Sequence, residues 1–239
     1  ESFSDYQEKL KKGFVIIDRE ERKSIIMERA QKLATAQGIE LKTDSSLLEE
    51  VCGLIEWPTP LMGNIKNIFM TVPPEVLVCA MRGHQKYFAL TKKDGELAPN
   101  FITISNMASD AERNETTING NERVLSARLS DAKFFWDQDR AITLSSRIHA
   151  LANVKFYDKL GTLREKMVRV EALGVYLSKW VPNTDMESLK RAIQLAKADL
   201  TTSMVGEFPE LQGIMGSYFA HHDQEAEEVC IAIKEHYSP

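Results

Sequence analysis

The densest group of chemically useful side chains lies between residues 82 and 88. The run reads Arg82-Gly83-His84-Gln85-Lys86-Tyr87-Phe88 and follows an apolar helical pattern. Cations beside aromatic rings can hold a nucleotide by phosphate contact and base stacking. The alternative is a helix-to-strand turn whose aromatic rings pack in the core. From this run the candidate RNA-binding residues are Arg82, His84, Gln85, Lys86 and Tyr87.

A second run, residues 119–135, carries three regularly spaced cations, Arg123, Arg128 and Lys133. A spacing of five does not make neighbours on one helical face, because such contacts fall at three and four residues. The two arginines could bind phosphate, or they could pair with Glu122 and Asp131. Both interpretations stay open, and the three cations join the candidate RNA-binding set.

The chain has one His-Asp dipeptide, His222-Asp223, with His221 before it and His236 further on. A metal-dependent phosphohydrolase could use these four residues as ligands, but it would hold the pair inside a helix. Asp223 stands where a new helical pattern begins, so it is predicted to be an N-cap. The phosphate loop GxxxxGK[ST], the GxGxxG fingerprint, the GxSxG elbow and the HExxH motif are all missing from the sequence.

Charge is unevenly distributed along the chain, whose net charge is −5. Residues 121–170 hold ten Lys and Arg against six Asp and Glu, a local +4, whereas residues 207–239 hold one Lys against seven acids, a local −6. A basic middle can face phosphate while the whole protein stays acidic, although solvated helix faces would give the same count. The basic stretch adds Arg147, Lys155 and Lys159 to the candidate set.

Composition fits a soluble globular protein of one or two domains, with 239 residues of which 43% are hydrophobic and 27% charged. No apolar run reaches the roughly 18 residues that span a bilayer, and no signal-peptide pattern is present. Three cysteines lie among apolar residues without a CxxC pair, which predicts buried free thiols in a reducing cytoplasm. The first residue is not Met, and the last follows a helical pattern directly, which predicts a segment of a longer protein.

The first half of the sequence mixes helical and strand patterns. Asp18 is predicted to cap a helix over residues 20–36, a serine at 45 or 46 to open a second, and Pro74 to begin a third. Residues 68–72 are predicted to form a short strand. Residues 86–91 and 100–106 form a hairpin pattern around Asp94-Gly95. Residues 1–145 are therefore predicted to be an α+β domain, a small antiparallel sheet with helices.

The second half is helical throughout. Thr162 and Glu165 form a capping box. The helix that follows has one apolar stripe, made of Leu163, Met167, Val170, Leu173, Leu177 and Trp180. Residues 146–239 are predicted to be an all-α domain, and the whole chain to be predominantly helical.

Many short motifs along the chain resemble, in order, the β subunit of bacterial heterotetrameric glycyl-tRNA synthetases. In the first half they are Leu47-Leu48-Glu49-Glu50-Val51, Glu56-Trp57-Pro58, Pro74-Glu75-Val76-Leu77, His84-Gln85-Lys86-Tyr87-Phe88, Pro99-Asn100-Phe101-Ile102, Gly120-Asn121-Glu122-Arg123-Val124-Leu125 and Ala127-Arg128-Leu129-Ser130-Asp131-Ala132. In the second half they are Leu160-Gly161-Thr162, Lys197-Ala198-Asp199-Leu200, Met204-Val205-Gly206-Glu207-Phe208 and Leu211-Gln212-Gly213-Ile214-Met215-Gly216. The resemblance covers nearly the whole chain.

The resemblance implies a cytoplasmic class II synthetase of α₂β₂ form. In that family the α subunit holds the site for glycine, ATP and Mg, and the β subunit is needed for tRNA binding. This segment is therefore expected to contribute tRNA binding and scaffold, without a catalytic residue, metal or cofactor of its own. The expected partners are tRNA(Gly), the α subunit and a second β subunit.

The resemblance also implies that residues 146–239 form a truncated HD-like helical domain. HD hydrolases bind metal through a His-Asp pair, and Lys197-Ala198-Asp199 stands where that pair would be, with Ala in place of His. This departure argues against metal-dependent hydrolysis. Two alternatives stay beside the tRNA role: the phosphohydrolase described above, and a protein-interaction scaffold without RNA contact.

Overall fold

The computed structural model describes residues 2–238. Its contacts divide the chain into two compact units, one ending at Ala132 and the other beginning at Lys133. The division falls inside a long helix, α5 (Ala111–Asp139), whereas the domain change was predicted after residue 145. Each unit is described by itself.

The first unit combines helices with a four-stranded antiparallel sheet. Its helices before α5 are α1 (Phe3–Lys12), α2 (Arg19–Ala36), α3 (Ser45–Leu54) and α4 (Pro74–Gly83). Its strands are β1 (Glu40–Leu41), β2 (Thr59–Asn64), β3 (Phe88–Thr91) and β4 (Leu97–Ser105), in the order β1-β3-β4-β2. The predicted hairpin is β3 and β4, which confirms the α+β prediction for this part of the chain.

Local capping explains where these helices begin. Asp18 accepts a hydrogen bond from the N–H of Glu21 and caps α2 as predicted. Asp44, rather than a serine, caps α3 by accepting from the N–H of Leu47 at 2.9 Å. The predicted strand at residues 68–72 is wrong, because this apolar run forms a 3₁₀ helix, Asn67–Thr71.

The core of the first unit lies between the sheet and helices α2 and α3. Strand residues Phe88, Leu90 and Ile102 are at most 2% exposed. They pack with one face of each helix, and the full cluster is Ile26, Ala30, Ala34, Leu41, Leu47, Val51, Cys52, Ile55, Phe88, Leu90, Ala98 and Ile102. The buried residues of β3 and β4 therefore anchor the chain segments on either side of the hairpin.

The second unit contains the end of α5, a short hairpin and further helices. The hairpin is β5 (Lys155–Tyr157) with β6 (Gly161–Thr162). The helices are α6 (Leu163–Leu177), α7 (Met186–Leu195), α8 (Ser203–Glu207), α9 (Ile214–His222) and α10 (Glu227–Glu235). The 3₁₀ turns between them are Ser145–Asn153, Ser178–Trp180, Ala198–Thr201 and Pro209–Leu211. The protein is predominantly helical as predicted, but the hairpin means that this part is not purely helical.

Helix α6 begins at the predicted capping box, in which Thr162 and Glu165 bond each other's backbone N–H groups. The apolar stripe of α6 is only half buried. Leu163 and Met167 lie in the core, whereas Leu173 and Trp180 are 54% and 62% exposed. The stripe is therefore buried only as far as Val170. Beyond it, α7 packs on a neighbouring face of α6, where a Cβ on Gly174 would lie 2.8 Å from Ile193, and leaves the stripe exposed.

The three cysteines are free and buried, as predicted. Within residues 2–238, every helix is too short or too polar to cross a bilayer.

Candidate nucleic-acid interface

The polar-aromatic run at residues 82–88 forms the connection from α4 to β3. The guanidinium group of Arg82 pairs with the carboxylate of Asp44 at 2.7 Å and donates to the Ser46 hydroxyl at 2.6 Å. Lys86 pairs with Glu50 at 2.7 Å. Both cations thus neutralise carboxylates on α3 or its cap, which weakens their attraction for phosphate.

The aromatic part of this run faces inward. Tyr87 is 3% exposed and stacks on Phe101 with ring centroids 4.6 Å apart. Its hydroxyl donates to Asn121, and burial raises the pKa of Tyr87 to about 12. Of the two remaining candidates, His84 is exposed and Gln85 is half-buried. The buried ring matches the helix-to-strand alternative, and Tyr87 offers no face to a base.

The cations of α5 have different environments. Arg123 and Arg128 are exposed, and neither forms an ion pair with a residue in the described part of the chain. Glu122 instead accepts from the backbone N–H and side-chain amide of Asn64, at 2.7 and 3.0 Å. Neither pairing considered from the sequence is therefore present, and the two arginines stay candidates for an anionic partner. Lys133 pairs with Asp137 at 2.6 Å.

Arg147 is part of an internal network. Its guanidinium contacts the carboxylate of Asp139 at 3.1 Å and donates to the carbonyls of Asp139 and Thr201. Asp139 is 3% exposed and also accepts from the N–H groups of Ser203 and Met204, at 3.2 and 2.8 Å. Arg147 therefore stabilises the start of α8, and its side chain is 14% exposed. These contacts occupy the Arg147 guanidinium inside the second unit.

Two predicted residues, Lys155 and Lys159, meet at an open groove of about 600 Å³ beside the first turns of α6. We call this the basic groove. Its walls are Lys155, Tyr157, Lys159, Leu160, Gly161, Thr162, Glu165 and Arg169. The groove exists because the β5–β6 hairpin folds back onto α6. This hairpin was not predicted from the sequence.

Glycine is required at position 161 for the hairpin to close on α6. Its φ is +81°, and a Cβ there would lie 2.0 Å from a carboxylate oxygen of Glu165. That carboxylate is held by the N–H and hydroxyl of Thr162 at 2.6 and 3.0 Å, and the bond to the backbone lowers the pKa of Glu165. Glu165, the acidic residue in the walls of the groove, therefore has its carboxylate bound within the capping box.

The cations of the basic groove remain accessible. Lys155 pairs with Asp158 at 3.0 Å, but both side chains are more than 70% exposed, so water screens the pair. Arg169 donates from one guanidinium nitrogen to the carbonyl of Leu160 at 3.0 Å and is otherwise exposed. Tyr157, which the sequence reading did not select, is 67% exposed at the mouth. Cations around an exposed ring suit contact with a nucleic-acid backbone and its bases.

The residues of the phosphohydrolase alternative have separate environments. Asp223 follows the end of α9 and accepts from the N–H of Leu144 at 2.6 Å, so the predicted N-cap is wrong. His221 lies 3.5 Å from Glu227, and Nδ1 of His236 lies 2.6 Å from the carbonyl oxygen of Ile233. Among residues 2–238, His, Cys, Asp and Glu side chains form no cluster of three that could bind a metal ion.

Asp199, in the run resembling the His-Asp position, is fully buried. It accepts from the backbone N–H groups of Gly213 and Gly216, at 2.7 and 3.1 Å. Burial raises the pKa of Asp199 to about 6 and lowers the pKa of neighbouring Lys197 to about 8. The carboxylate thus holds the start of α9.

Comparison with known proteins agrees with the resemblance over the entire chain. The family model described as "Glycyl-tRNA synthetase beta subunit" matches residues 1–239. The curated glycine–tRNA ligase beta subunit of Rhodospirillum centenum is 49% identical over 240 residues, covering 100% of this chain and 34% of the relative. That of Phenylobacterium zucineum is 46% identical, covering 99% and 36%, and that of Listeria welshimeri is 43% identical, covering 99% and 34%.

The chain therefore spans about a third of the length of these curated relatives. The family model nevertheless matches every residue, and the match includes both units and the basic groove. The chain belongs to the glycyl-tRNA synthetase β-subunit family.

Proposed function

We propose that this chain is the central segment of the β subunit of a glycine–tRNA ligase, and that it binds tRNA(Gly) through the basic groove. The observation that carries the proposal is the convergence of Lys155, Lys159 and Arg169 around an open groove whose own acid, Glu165, is occupied by the capping box. Phosphate contact with such cations needs no catalytic group.

The remaining parts of this proposal follow from family membership. The segment acts in a cytoplasmic α₂β₂ assembly, beside the α subunit and a second β subunit. The α subunit binds glycine, ATP and Mg and performs the chemistry of aminoacylation. The helices after residue 146 serve as an HD-like scaffold that carries the groove.

The test uses the intact enzyme with Lys155→Ala and Lys159→Ala combined. Binding of tRNA(Gly) is titrated over a range of salt concentrations. Each lysine that contacts phosphate contributes roughly 1 to the slope of log affinity against log salt. We therefore expect the double variant to bind more weakly and with a slope smaller by up to about 2.

A matched control is Lys92→Ala, which removes an exposed lysine that pairs with Glu96 at 2.8 Å in the first unit. This variant is expected to keep the affinity and the salt slope. Unchanged binding in the double variant would show that the basic groove does not face tRNA.

A further inference from the structure

An exposed apolar stripe continues from the basic groove along α6. Large apolar side chains that are at least half exposed extend from the middle of α6 past its end: Val168, Leu173, Tyr176, Leu177, Trp180 and Val181. Tyr176 is 55% exposed and Trp180 is 62% exposed. Aromatic side chains of this size usually bury most of their surface, so such a stripe marks a binding surface.

Helical spacing joins this stripe to the groove. Positions 169, 173, 176 and 180 follow one another at steps of four, three and four, which is one face of a helix. At a rise of 1.5 Å per residue, Tyr176 lies roughly 10 Å beyond Arg169 along the helix axis. The phosphate-binding end and the two rings therefore form one continuous track a few nucleotides long. We call it the α6 track.

Cations accompany the rings at both ends of the α6 track. Lys179 lies 5.4 Å from the ring centroid of Tyr176, which in turn lies 4.7 Å from that of Trp180. At the hairpin end, Lys166 lies 4.1 Å from the ring centroid of Phe156. Charged residues are depleted at the centres of protein–protein interfaces, whereas sites for single-stranded RNA combine cations with exposed rings.

The net charge of residues 155–180 has the sign that RNA requires. This stretch has six cations and three acids, a balance of +3: Lys155, Lys159, Arg164, Lys166, Arg169 and Lys179 against Asp158, Glu165 and Glu171. Two of the three acids already have partners within the chain, because Glu165 holds the capping box and Glu171 accepts from Gln194 at 3.4 Å.

We propose that the α6 track binds unpaired RNA nucleotides, with phosphates at Lys155, Lys159 and Arg169 and bases stacked on Tyr176 and Trp180. The inference rests on the proposed function and narrows it to single-stranded parts of the tRNA. Bases inside a duplex already stack on one another and present only their edges, so exposed rings select unpaired bases.

The test compares RNA ligands on the intact enzyme. The variant is Tyr176→Ala combined with Trp180→Ala, and the probes are a short single-stranded RNA and a blunt RNA duplex of equal length. Stacking on an aromatic side chain contributes enough for about tenfold in affinity per base. We expect at least a tenfold loss for the single strand and an unchanged affinity for the duplex. Tyr176→Phe with Trp180→Phe keeps both rings and should bind as the unaltered enzyme does.

Other outcomes overturn the inference in distinguishable ways. Unchanged single-strand binding in the alanine variant, with weakened tRNA binding in Lys155→Ala and Lys159→Ala, would leave the basic groove in place and remove the stacking role. Unchanged binding in both variants would remove both proposals. If Leu173→Ser with Leu177→Ser separates subunits and the alanine variant binds RNA normally, the stripe is a protein interface.

Discussion

The carboxylate of Asp199 accepts a hydrogen bond from the backbone N–H of Gly213 at 2.7 Å, across fourteen residues of chain. Gly213 is the N-cap of α9 and has φ of +79°, so it brings no capping side chain of its own. Asp199 supplies the missing acceptor, and it serves Gly216 in the first turn as well. The start of α9 thus depends on a buried acid from another element.

Replacing Asp199 with Asn should alter how stability depends on pH. Burial raises the folded-state pKa of Asp199 to about 6, above its value in the unfolded chain. Its contribution to stability is therefore fully present below the unfolded-state pKa and is lost as pH rises through about 6. Between about pH 5 and 7.5, this loss amounts to about 1 kcal/mol in the unaltered protein.

Urea unfolding of the 239-residue chain at both pH values measures the effect. Asp199→Asn lacks the titrating group, so its stability relative to the unaltered protein should improve by about 1 kcal/mol at the higher pH. Asp199→Ala leaves two buried N–H groups without an acceptor and should lose roughly 2 kcal/mol or more at either pH. A stability difference for Asp199→Asn that is the same at both pH values would contradict the assignment.

Arg147→Ala should destabilise the second unit. The substitution leaves the carboxylate of Asp139 buried without its cation, a change that typically costs about 3 kcal/mol. A lower Tm is expected, with tRNA affinity retained while the protein is folded. Arg123→Ala is the control, because that exposed side chain has no ion pair in the described residues and should change stability by less than about 0.5 kcal/mol. Equal Tm values for the two variants would contradict the internal role of Arg147.

Two glycine substitutions should change the stability of the folded protein in opposite directions. Gly161→Ala strains a positive φ and drives Cβ against the Glu165 carboxylate, so it should cost about 1–3 kcal/mol. Gly120→Ala lies in α5 with nothing within 4 Å of the added Cβ, so helix propensity should raise stability by about 0.5–1 kcal/mol. Thermal unfolding ranks the two variants. A neutral Gly161→Ala would mean that the hairpin can close without the capping box.

The purified 239-residue chain should not form glycyl-adenylate. This expectation follows from the proposed function, in which the α subunit binds glycine and ATP and performs the chemistry, and the sequence has no phosphate loop of the form GxxxxGK[ST]. Glycine-dependent exchange of labelled pyrophosphate into ATP is the measurement, with the intact enzyme as the positive control. Exchange above background by the chain alone would overturn the expectation.

Features encoded by neighbouring residues were predictable from the sequence. Asp18 caps α2, and Thr162 with Glu165 forms the capping box, because both contacts span three residues. The hairpin of β3 and β4 also follows from a local turn. In contrast, β2 was missed because Pro60 interrupts its pattern, a residue that an edge strand tolerates.

The features that could not be predicted depend on contacts between residues far apart in the sequence. Asp223 could be assigned as a cap from position alone, yet its partner Leu144 lies 79 residues away. The local excess of positive charge was enough to predict Lys155 and Lys159 as candidate residues. They lie beside Arg169 only because the β5–β6 hairpin brings them there, and the sequence did not predict that hairpin. Likewise, periodicity located the stripe on α6 without revealing that its second half is uncovered.

The two fully buried cysteines, Cys52 and Cys230, lie one in each unit. An alkylating reagent can reach a buried thiol only after the surrounding structure opens, so the rate of modification follows the frequency of that opening. The two thiols would therefore time the opening of each unit separately in the native protein, without an introduced label.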